Sequence, residues 1–275
     1  MPPTIANPDD LSSWSGVLTG VKRGSATLTA RAYRSSYDDG THASLVLTSN
    51  RQPYWIKVLG NPQGDQILVT EAVVSGVGEL IDAPVRPTAL IEVPPTLAGF
   101  EYAKAYRFHA GIAHGSLHLE HAEEGDKILY PRRDGNPSRR ACLAALWDWC
   151  MGDDEQWLYD LDNDYSIWSF DHGFWFGGDG GMWDTPMLER LVDHPWPWTE
   201  ATASINPESL TACAARIRGV TAADILRIIA RVPLEWGTPN SDLETLGWFL
   251  HRRKSGVADR LDVLASDIDS KQRKD

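Results

Sequence analysis

The chain has 275 residues, a formal net charge of −12 and 42% hydrophobic residues. This length is sufficient for one large domain or for two lobes with separate cores. The negative charge argues against nonspecific binding to DNA, RNA or an anionic membrane, because such binding requires positive surface potential. A phosphate-bearing ligand stays compatible with this charge, since a few local cations or a metal ion can reverse the field inside one cleft.

Cysteine usage and hydropathy indicate a cytoplasmic protein. The three cysteines, Cys142, Cys150 and Cys213, are far apart and form no Cys-x-x-Cys pair, which is typical of a reducing compartment. The first residues do not combine a basic segment with an apolar one, so no signal peptide is evident. No apolar run approaches the roughly 20 residues that span a bilayer.

The elements predict a two-lobed α+β fold. The N-terminal lobe, residues 1–97, ends just after Pro94-Pro95, where the chain can bend. Apolar spacing near 3.6 residues predicts its helix from Asp65 to Ile81. Its predicted strands, rich in β-branched and alternating residues, are Ala26–Ala32, Ala43–Thr48, Tyr54–Leu59 and Thr88–Val93.

The C-terminal lobe, residues 98–265, is predicted to be mostly helical, and the polar tail of residues 266–275 is expected to fray. One short strand, Ser166–Phe170, leads into Asp171-His172-Gly173. The predicted helices of this lobe are Ser138–Met151, Pro207–Arg218, Ala222–Ala230 and Asp242–Leu264.

Three residues in these elements are candidates for phosphate and metal binding. Lys57 lies in an apolar strand, where a cation needs an anionic partner, and the following helix supplies Glu71. A strand lysine paired with a helix glutamate is the arrangement that holds ATP phosphates in protein kinases. Asp171 ends a hydrophobic strand, and Gly173 permits unusual backbone angles beside it, which suits a metal ligand. Asp154 precedes Asp171 by 17 residues, close to the separation of catalytic base and metal aspartate in kinases.

The sequence resembles the HipA-like kinases, in particular the short bacterial members. The matching motifs are Tyr54–Gly64, Val69–Ala72, Ala83–Pro87, Leu90–Pro94, Gly111–Ser116, Trp147–Leu158, Trp168–Gly173, Val232–Trp236 and Leu250–Arg253. The resemblance implies a two-lobed protein-kinase-like fold that uses ATP and Mg²⁺ and phosphorylates a Ser or Thr hydroxyl, on another protein or on itself. It also implies that Lys57 holds the phosphates, that Glu71 orients Lys57 and that Asp171 binds metal. Gly24 and Ser25 stand where the family places its phosphate-covering loop.

The catalytic stretch departs from the family pattern of Asn-x-Asp-Arg-His. The sequence has Asp153-Asp154-Glu155-Gln156, so we place the catalytic base at Asp154, with Asp153 as the alternative. The second metal ligand is then Gln156, whose amide oxygen replaces that of Asn. Because Glu155 replaces the family's basic residue, a catalytically weak pseudokinase that senses nucleotide as a binding module is a second hypothesis.

A metal-dependent hydrolase is a third hypothesis. His114, His118 and His121 would share one face if this stretch were helical, and three imidazoles suit zinc.

Two other features of the sequence do not determine the binding partners of the chain. An Arg-rich loop suits either an anionic partner or solvent, and the twelve tryptophans suit either packing or a stacking platform. The phosphate acceptor, protein or small molecule, and an antitoxin-like partner are not identified by the sequence.

Overall fold

The computed structural model describes residues 4–37, 42–102, 106–177 and 182–273. No helix among these residues combines the length and apolar character that a membrane span requires. The chain forms a small β-barrel near its N-terminus, a central helix, a three-stranded sheet and a C-terminal group of helices.

Five strands close the barrel in the order β1-β2-β3-β7-β4. They are β1 (Leu28–Ser36), β2 (Ser44–Thr48), β3 (Pro53–Lys57), β4 (Thr88–Val93) and β7 (Gly111–Leu117). The pairing is antiparallel except between β1 and β4, which run parallel and complete the closure. Apolar side chains from alternate positions, among them Val46, Ile56 and Ile91, fill the interior.

Strand β7 differs from the sequence prediction, which made this stretch part of a mostly helical lobe. It pairs with both β3 and β4, so the β-barrel extends beyond residue 97, where the sequence placed the end of the β-rich lobe. A Cβ atom at Gly115 would lie 2.3 Å from the Ile91 Cδ1 atom, so the absence of a side chain lets the strands pack closely here. Two glycines and this non-local pairing favour the strand over a helix.

Helix α1 (Gln66–Leu80) lies between the barrel and the C-terminal helices. It is apolar on nearly every side, as expected for a helix that other elements surround. Gly76 and Gly78 leave room for Ile228 and Val85, whose side chains would lie 2.9–3.0 Å from an added Cβ atom. The helix therefore fixes the barrel against the rest of the molecule.

A three-stranded antiparallel sheet consists of β8 (Ala122–Gly125), β9 (Trp157–Asp160) and β10 (Ser166–Ser169). Only β10 is predicted from the sequence. Two short strands, β5 (Glu101–Tyr102) and β6 (Tyr106–Arg107), pair separately.

Helix α2 (Asn136–Cys150) begins at a buried asparagine. The amide nitrogen of Asn136 donates to the carbonyls of Tyr130 (2.7 Å) and Tyr165 (2.9 Å), and its oxygen accepts from the Ile167 backbone N–H (2.8 Å). These bonds fix the start of α2 against β10.

The remaining α-helices of the described residues are α3 (Thr185–Leu191), α4 (Pro207–Gly219), α5 (Ala222–Ala230) and α6 (Asn240–Gln272), and short 3-10 helices occur at Leu11–Trp14 and Leu234–Trp236. Helix α6 continues past Leu264, so the expected fraying from residue 266 is wrong for residues 266–272. Ile268 is 4% exposed and packs in the main core, and this burial stabilises the last turns. Residues 274–275 of the predicted tail lie outside the described residues.

Arg253 of α6 joins three helices. Its guanidinium donates to the backbone carbonyls of Trp149, Leu191 and His194 and to the carbonyl and carboxylate of Asp148. Burial lowers the pKa of Arg253 to about 10, against the attraction of Asp148, so the side chain stays charged at neutral pH. The planar fork of donors is what allows one side chain to satisfy several acceptors.

We expect Arg253→Lys to lower the free energy of unfolding by about 3 kcal/mol, because an ammonium cannot reach these acceptors together and leaves buried carbonyls unpaired. Arg252→Lys is the matched control, since the Arg252 side chain is 41% exposed. Urea denaturation of both variants measures the difference. Equal stability of the two variants would contradict the role of Arg253.

Candidate functional site

Lys57 is the last residue of β3, and its side chain is buried between α1 and the segment that follows β10. It is 6% exposed, and its Nζ atom contacts the carboxylates of both Glu71 and Asp171. Alternation along β3 places Lys57 on the face opposite Ile56, outside the barrel interior, and the helical phase of α1 directs Glu71 toward it. The structure therefore brings together the three residues that the sequence singled out.

The charged forms of Lys57 and Glu71 are stabilised by ion pairs within the cluster. Burial opposes the charge of Lys57, but the carboxylates of Asp171 and Glu71 outweigh it and raise the pKa of Lys57 above its ordinary value. Burial likewise disfavours the charge of Glu71, yet Lys57, with a further contribution from His172, holds the pKa of Glu71 well below its usual range. The cluster thus contains a buried cation between two carboxylates.

Asp171 is held by an unusual backbone. Its φ angle is +55°, in the left-handed region, which aspartate adopts more readily than most residues. The adjacent His172 is anchored, because its Nε2 atom lies 2.8 Å from Ser169 Oγ and its Nδ1 atom lies 3.5 Å from Glu71 Oε2. Backbone strain of this kind is concentrated at functional sites. The Asp171 side chain is 25% exposed, so one part of the carboxylate can meet a ligand.

His114 is a member of this cluster that the sequence did not place here. It lies opposite Lys57 in the β3–β7 register and is 3% exposed. Burial lowers the pKa of His114 to about 4, so the ring is neutral at pH 7. Its Nε2 atom has no hydrogen-bond partner among the described residues. Only the pairing of β7 with β3, which is non-local, reveals this position.

A cavity of about 200 Å³ opens beside the cluster. Lys57, Glu71, Asp171 and His114 line one side of it, together with Arg86. Arg86 donates to the backbone carbonyls of Leu117 (3.1 Å) and His118 (3.3 Å), just beyond β7. Leu117 and His118 also line the cavity, so Arg86 connects its charged residues to the end of β7.

The aromatic residues Tyr37, Trp55 and Phe170 line the same cavity, and the first two contact each other. The rings of Tyr37 and Trp55 lie 4.7 Å apart, and the Tyr37 hydroxyl donates to Glu124 at 2.5 Å. The Trp55 indole N–H donates to His118 Nδ1 at 3.0 Å. Tyr37 is 45% exposed and lies at the end of β1. This pair narrows the cavity between the barrel and β8.

The predicted phosphate-loop residues are elsewhere. Gly24 donates its backbone N–H to Ala230 (2.9 Å), and an added Cβ atom would lie 1.7 Å from the Arg231 carbonyl oxygen. Gly24 is therefore required for packing against the end of α5, and Ser25 is exposed. Neither residue lines the described cavity beside Lys57. Instead, Tyr37 and Ala43, which flank the connection between β1 and β2, line this cavity. The Gly24-Ser25 pair in the sequence did not indicate that this connection would lie here.

The predicted catalytic segment begins at the same end of the β9–β10 hairpin as Asp171. Trp157 pairs with Ser169, so the residues just before β9 and just after β10 extend from one end. Asp154 and Gln156 contact each other there, with Gln156 Nε2 donating to Asp154 Oδ2 at 2.5 Å. Asp153 and Asp154 are exposed and line a different cavity from that of Lys57. Their catalytic role, and metal binding by Gln156, stay predictions.

The zinc hypothesis fails because its helix is absent. His114 lies in β7 and faces the lysine cluster, while His118 accepts from Trp55. His121 pairs with Asp162 at 2.9 Å. Within the described residues, no group of three or more His, Cys, Asp or Glu is placed to hold a metal ion.

The Arg-rich loop has internal partners. Arg133 pairs with Asp164 (3.2 Å), Arg139 pairs with Asp134 (3.5 Å), and Arg140 is buried against Ser204 (2.5 Å). These contacts favour a structural role over binding of an anionic partner.

Replacement of Lys57 tests the energetic role of the cluster. We expect Lys57→Met to reduce the free energy of unfolding by about 3 kcal/mol, because Glu71 then becomes a buried carboxylate without its main counter-charge. The double variant Lys57→Met/Glu71→Gln should recover part of the loss, since the buried charge is removed. Lys22→Met is the control, because Lys22 is exposed. A double variant less stable than Lys57→Met would contradict this account.

The buried His114 makes stability depend on pH. An unfolded histidine binds a proton near pH 6.5, whereas His114 in the folded chain does so only near pH 4. The unfolded state therefore binds more protons between these values, and the free energy of unfolding falls as the pH is lowered from 6.5 to 4. Between pH 6.5 and pH 4, we expect the free energy of unfolding of His114→Gln to fall by about 3 kcal/mol less than that of the wild type, as measured by urea denaturation at each pH. An unchanged pH slope in the variant would contradict the buried neutral state.

No protein-family model matches the chain, and no curated protein sequence is significantly similar to it. Among solved structures, the fold is similar to the crystal structure of the Helicobacter pylori proinflammatory kinase CtkA, with a TM-score of 0.50 and 13% identity, over 90% of this chain and 98% of that chain. Two Golgi casein kinase crystal structures, one with Mn/ADP bound, have TM-scores of 0.47 and 0.49 at 10% identity. They cover 92% and 93% of this chain and 76% and 77% of their own. The similarity to CtkA identifies the architecture as a kinase-like α+β fold, as the sequence predicts, and HipA-like membership stays a prediction.

Proposed function

We propose that the chain is a HipA-like, ATP- and Mg²⁺-dependent kinase that transfers the γ-phosphate to a Ser or Thr hydroxyl of a protein. The observation that carries this proposal is the buried Lys57–Glu71–Asp171 cluster, which faces a cavity inside a kinase-like fold. In kinases a strand lysine held by a helix glutamate contacts the phosphates, and a metal-binding aspartate completes the site. The arrangement of charges in this cavity fits that division of roles.

Lys57 has the properties of a phosphate ligand. Its ammonium has three N–H donors, and it is kept charged by two carboxylates in a buried site. Glu71, which is 4% exposed and bonded to Lys57, keeps the side chain in one orientation. An ATP phosphate would compete with Asp171 for Lys57 and leave the Glu71 contact in place.

Asp171 fits a Mg²⁺ ligand. Magnesium prefers oxygen ligands and is usually held by one or two carboxylates together with substrate phosphates, so a single exposed carboxylate suffices on the protein side. The partly exposed oxygen of Asp171 provides it. When bound, the ion would neutralise negative charge on the phosphates. Gln156 could supply a second ligand only after its bond to Asp154 breaks.

The nucleotide base would enter beside Tyr37 and Trp55. The present cavity, about 200 Å³, is smaller than the roughly 300–1,000 Å³ of most ligand pockets. The Tyr37 side chain is 45% exposed and is held by its hydroxyl bond to Glu124 and by contact with the Trp55 ring, so rotation that breaks these two contacts would enlarge the cavity. The aromatic face of Trp55 then offers a surface on which a purine can stack.

Asp154 or Asp153 would act as the catalytic base, since both lie at the end of the β9–β10 hairpin from which Asp171 also extends. Asp154 has a φ angle of +53°, so its backbone, like that of Asp171, is in the left-handed region. The bond between Asp154 and Gln156, outside the lysine cavity, favours the pseudokinase as a second candidate function. In that case nucleotide binds at Lys57 without phosphate transfer.

Incubation with γ-labelled ATP and Mg²⁺ tests the proposal. We expect autophosphorylation or labelling of proteins from a bacterial lysate, and a loss of about 100-fold or more in Asp171→Asn, because the metal ligand is removed. Asp267→Asn is the control, since Asp267 is exposed on α6. Calorimetry measures ATP binding separately for each variant.

Each outcome selects one hypothesis. ATP binding that weakens in Asp171→Asn, without transfer in any variant, supports the pseudokinase. Absence of ATP binding in the wild-type chain contradicts both candidate functions. Transfer that is equal in Asp171→Asn and wild type contradicts the assigned metal ligand.

A further inference from the structure

A second cavity, of about 1000 Å³, lies beside the segment that precedes β9. It is lined by two chain segments, within residues 152–155 and residues 194–200, and by residues that directly follow β8. Among the described residues, its lining carries five carboxylates, one lysine (Lys127), one histidine (His194) and no arginine. The carboxylates are those of Asp126, Asp153, Asp154, Glu155 and Glu200.

These carboxylates have no described cation in direct contact, although Glu200 interacts electrostatically with Arg140 at longer range. None of the five forms an ion pair within 4.0 Å with a described lysine, arginine or histidine. Asp148, by contrast, is paired with both Arg253 and Arg260. A concave surface lined mainly by charges of one sign focuses the potential and attracts the opposite charge, and here five carboxylates outnumber Lys127. The cavity therefore favours a cationic ligand.

The cavity also has an aromatic side. Trp147 lines it, is 4% exposed, and has an indole N–H without a hydrogen-bond partner among the described residues. Trp196 lines it as well, and its indole N–H holds the Gly152 carbonyl at 2.7 Å. Indole faces attract lysine and arginine side chains, and Trp196 is partly exposed. The Trp147 N–H is a buried polar group in the wall of the cavity that no described residue satisfies. A peptide with basic residues presents side chains that indole faces attract.

The position of the cavity relates it to the proposed reaction. Asp153 and Asp154 line it, whereas Leu158 lines the cavity of Lys57. The four residue-to-residue steps from Asp154 to Leu158 span at most about 14 Å when extended. A chain bound in the acidic cavity is therefore within a few residues' reach of the cavity in which the phosphate would lie.

We propose that the acidic cavity binds a basic segment of the protein substrate, with arginine or lysine a few residues from the accepting hydroxyl. This inference rests on the proposed kinase function. A bound metal ion is disfavoured, because the described residues contain no group of three metal-ligating side chains and the cavity is much larger than one ion. A peptide fills the volume and supplies the cations.

The test uses the full chain and three synthetic peptides with one serine each. They are identical except that four positions carry arginine, citrulline or glutamate. Binding is followed without nucleotide by calorimetry and by tryptophan fluorescence, and phosphate transfer is followed with labelled ATP and Mg²⁺. The variant Glu155→Gln/Glu200→Gln removes two cavity charges that are not in the proposed catalytic machinery. Its control, Glu189→Gln/Asp267→Asn, removes two exposed charges elsewhere.

We expect the arginine peptide to bind at least about tenfold more tightly than the citrulline peptide, and the cavity variant to lose about tenfold in that affinity. The control variant should bind like the wild type, and ATP affinity should be the same in all three proteins.

Equal affinity for the arginine and citrulline peptides overturns the inference, even if ATP is bound and consumed. Displacement of the arginine peptide by an equal concentration of spermine overturns it in favour of a small polycation. Binding of the arginine peptide that depends on Glu155 and Glu200, without ATP binding, supports the cavity assignment and contradicts only the proposed function.

Discussion

The ion pairs of Lys57 are the interaction on which the functional region depends. A buried ammonium is tolerated only if anions meet it, and here one carboxylate comes from α1 and the other from the end of β10. The barrel, the central helix and the three-stranded sheet must therefore meet at one point. Breaking such a pair leaves an uncompensated buried charge, so these three elements are held in register by electrostatics as well as by packing.

The same constraint explains the surroundings of the cluster. His172 anchors Glu71 from the side opposite Lys57, and Ser169 in turn holds His172. His114 is kept neutral by burial, so it adds no positive charge beside Lys57. Asp171 keeps a left-handed backbone that places its carboxylate against the ammonium while leaving it partly exposed. The bonds among Lys57, Glu71 and Asp171 make this part of the network rigid, although His114 Nε2 and His172 Nδ1 have no hydrogen-bond partner among the described residues. The proposed positioning of phosphates requires such rigidity.

The β9–β10 hairpin relates the two cavities. Its register places Asp171 at the same end as the Asp153–Gln156 segment. Asp171 lines the cavity of Lys57, whereas Asp153, Asp154 and Glu155 line the acidic cavity. The Lys57 cavity balances its cations, Lys57 and Arg86, with carboxylates that include Glu71 and Asp171, whereas one lysine stands among five carboxylates in the acidic cavity. Substrate selection by charge would then be separate from phosphate binding by Lys57.

The sequence alone determined the elements with strong local patterns and the three residues of the cluster. The helix of Glu71, the strand of Lys57 and the strand that ends before Asp171 follow from periodicity, and a buried lysine requires an acidic partner wherever it folds.

Only the tertiary structure decided which contacts form between residues that are distant in sequence. Strand β7 carries two glycines and is fixed by β3 and β4. Because this pairing is not visible in the sequence, the local pattern suggests a helical zinc site that includes His114. Gly24 gave a local signal for phosphate binding, yet contact with Arg231, over 200 residues away in sequence, makes it a packing residue. Local chemistry shows which groups need partners, but only the closed barrel and the packed helices determine which partners they meet.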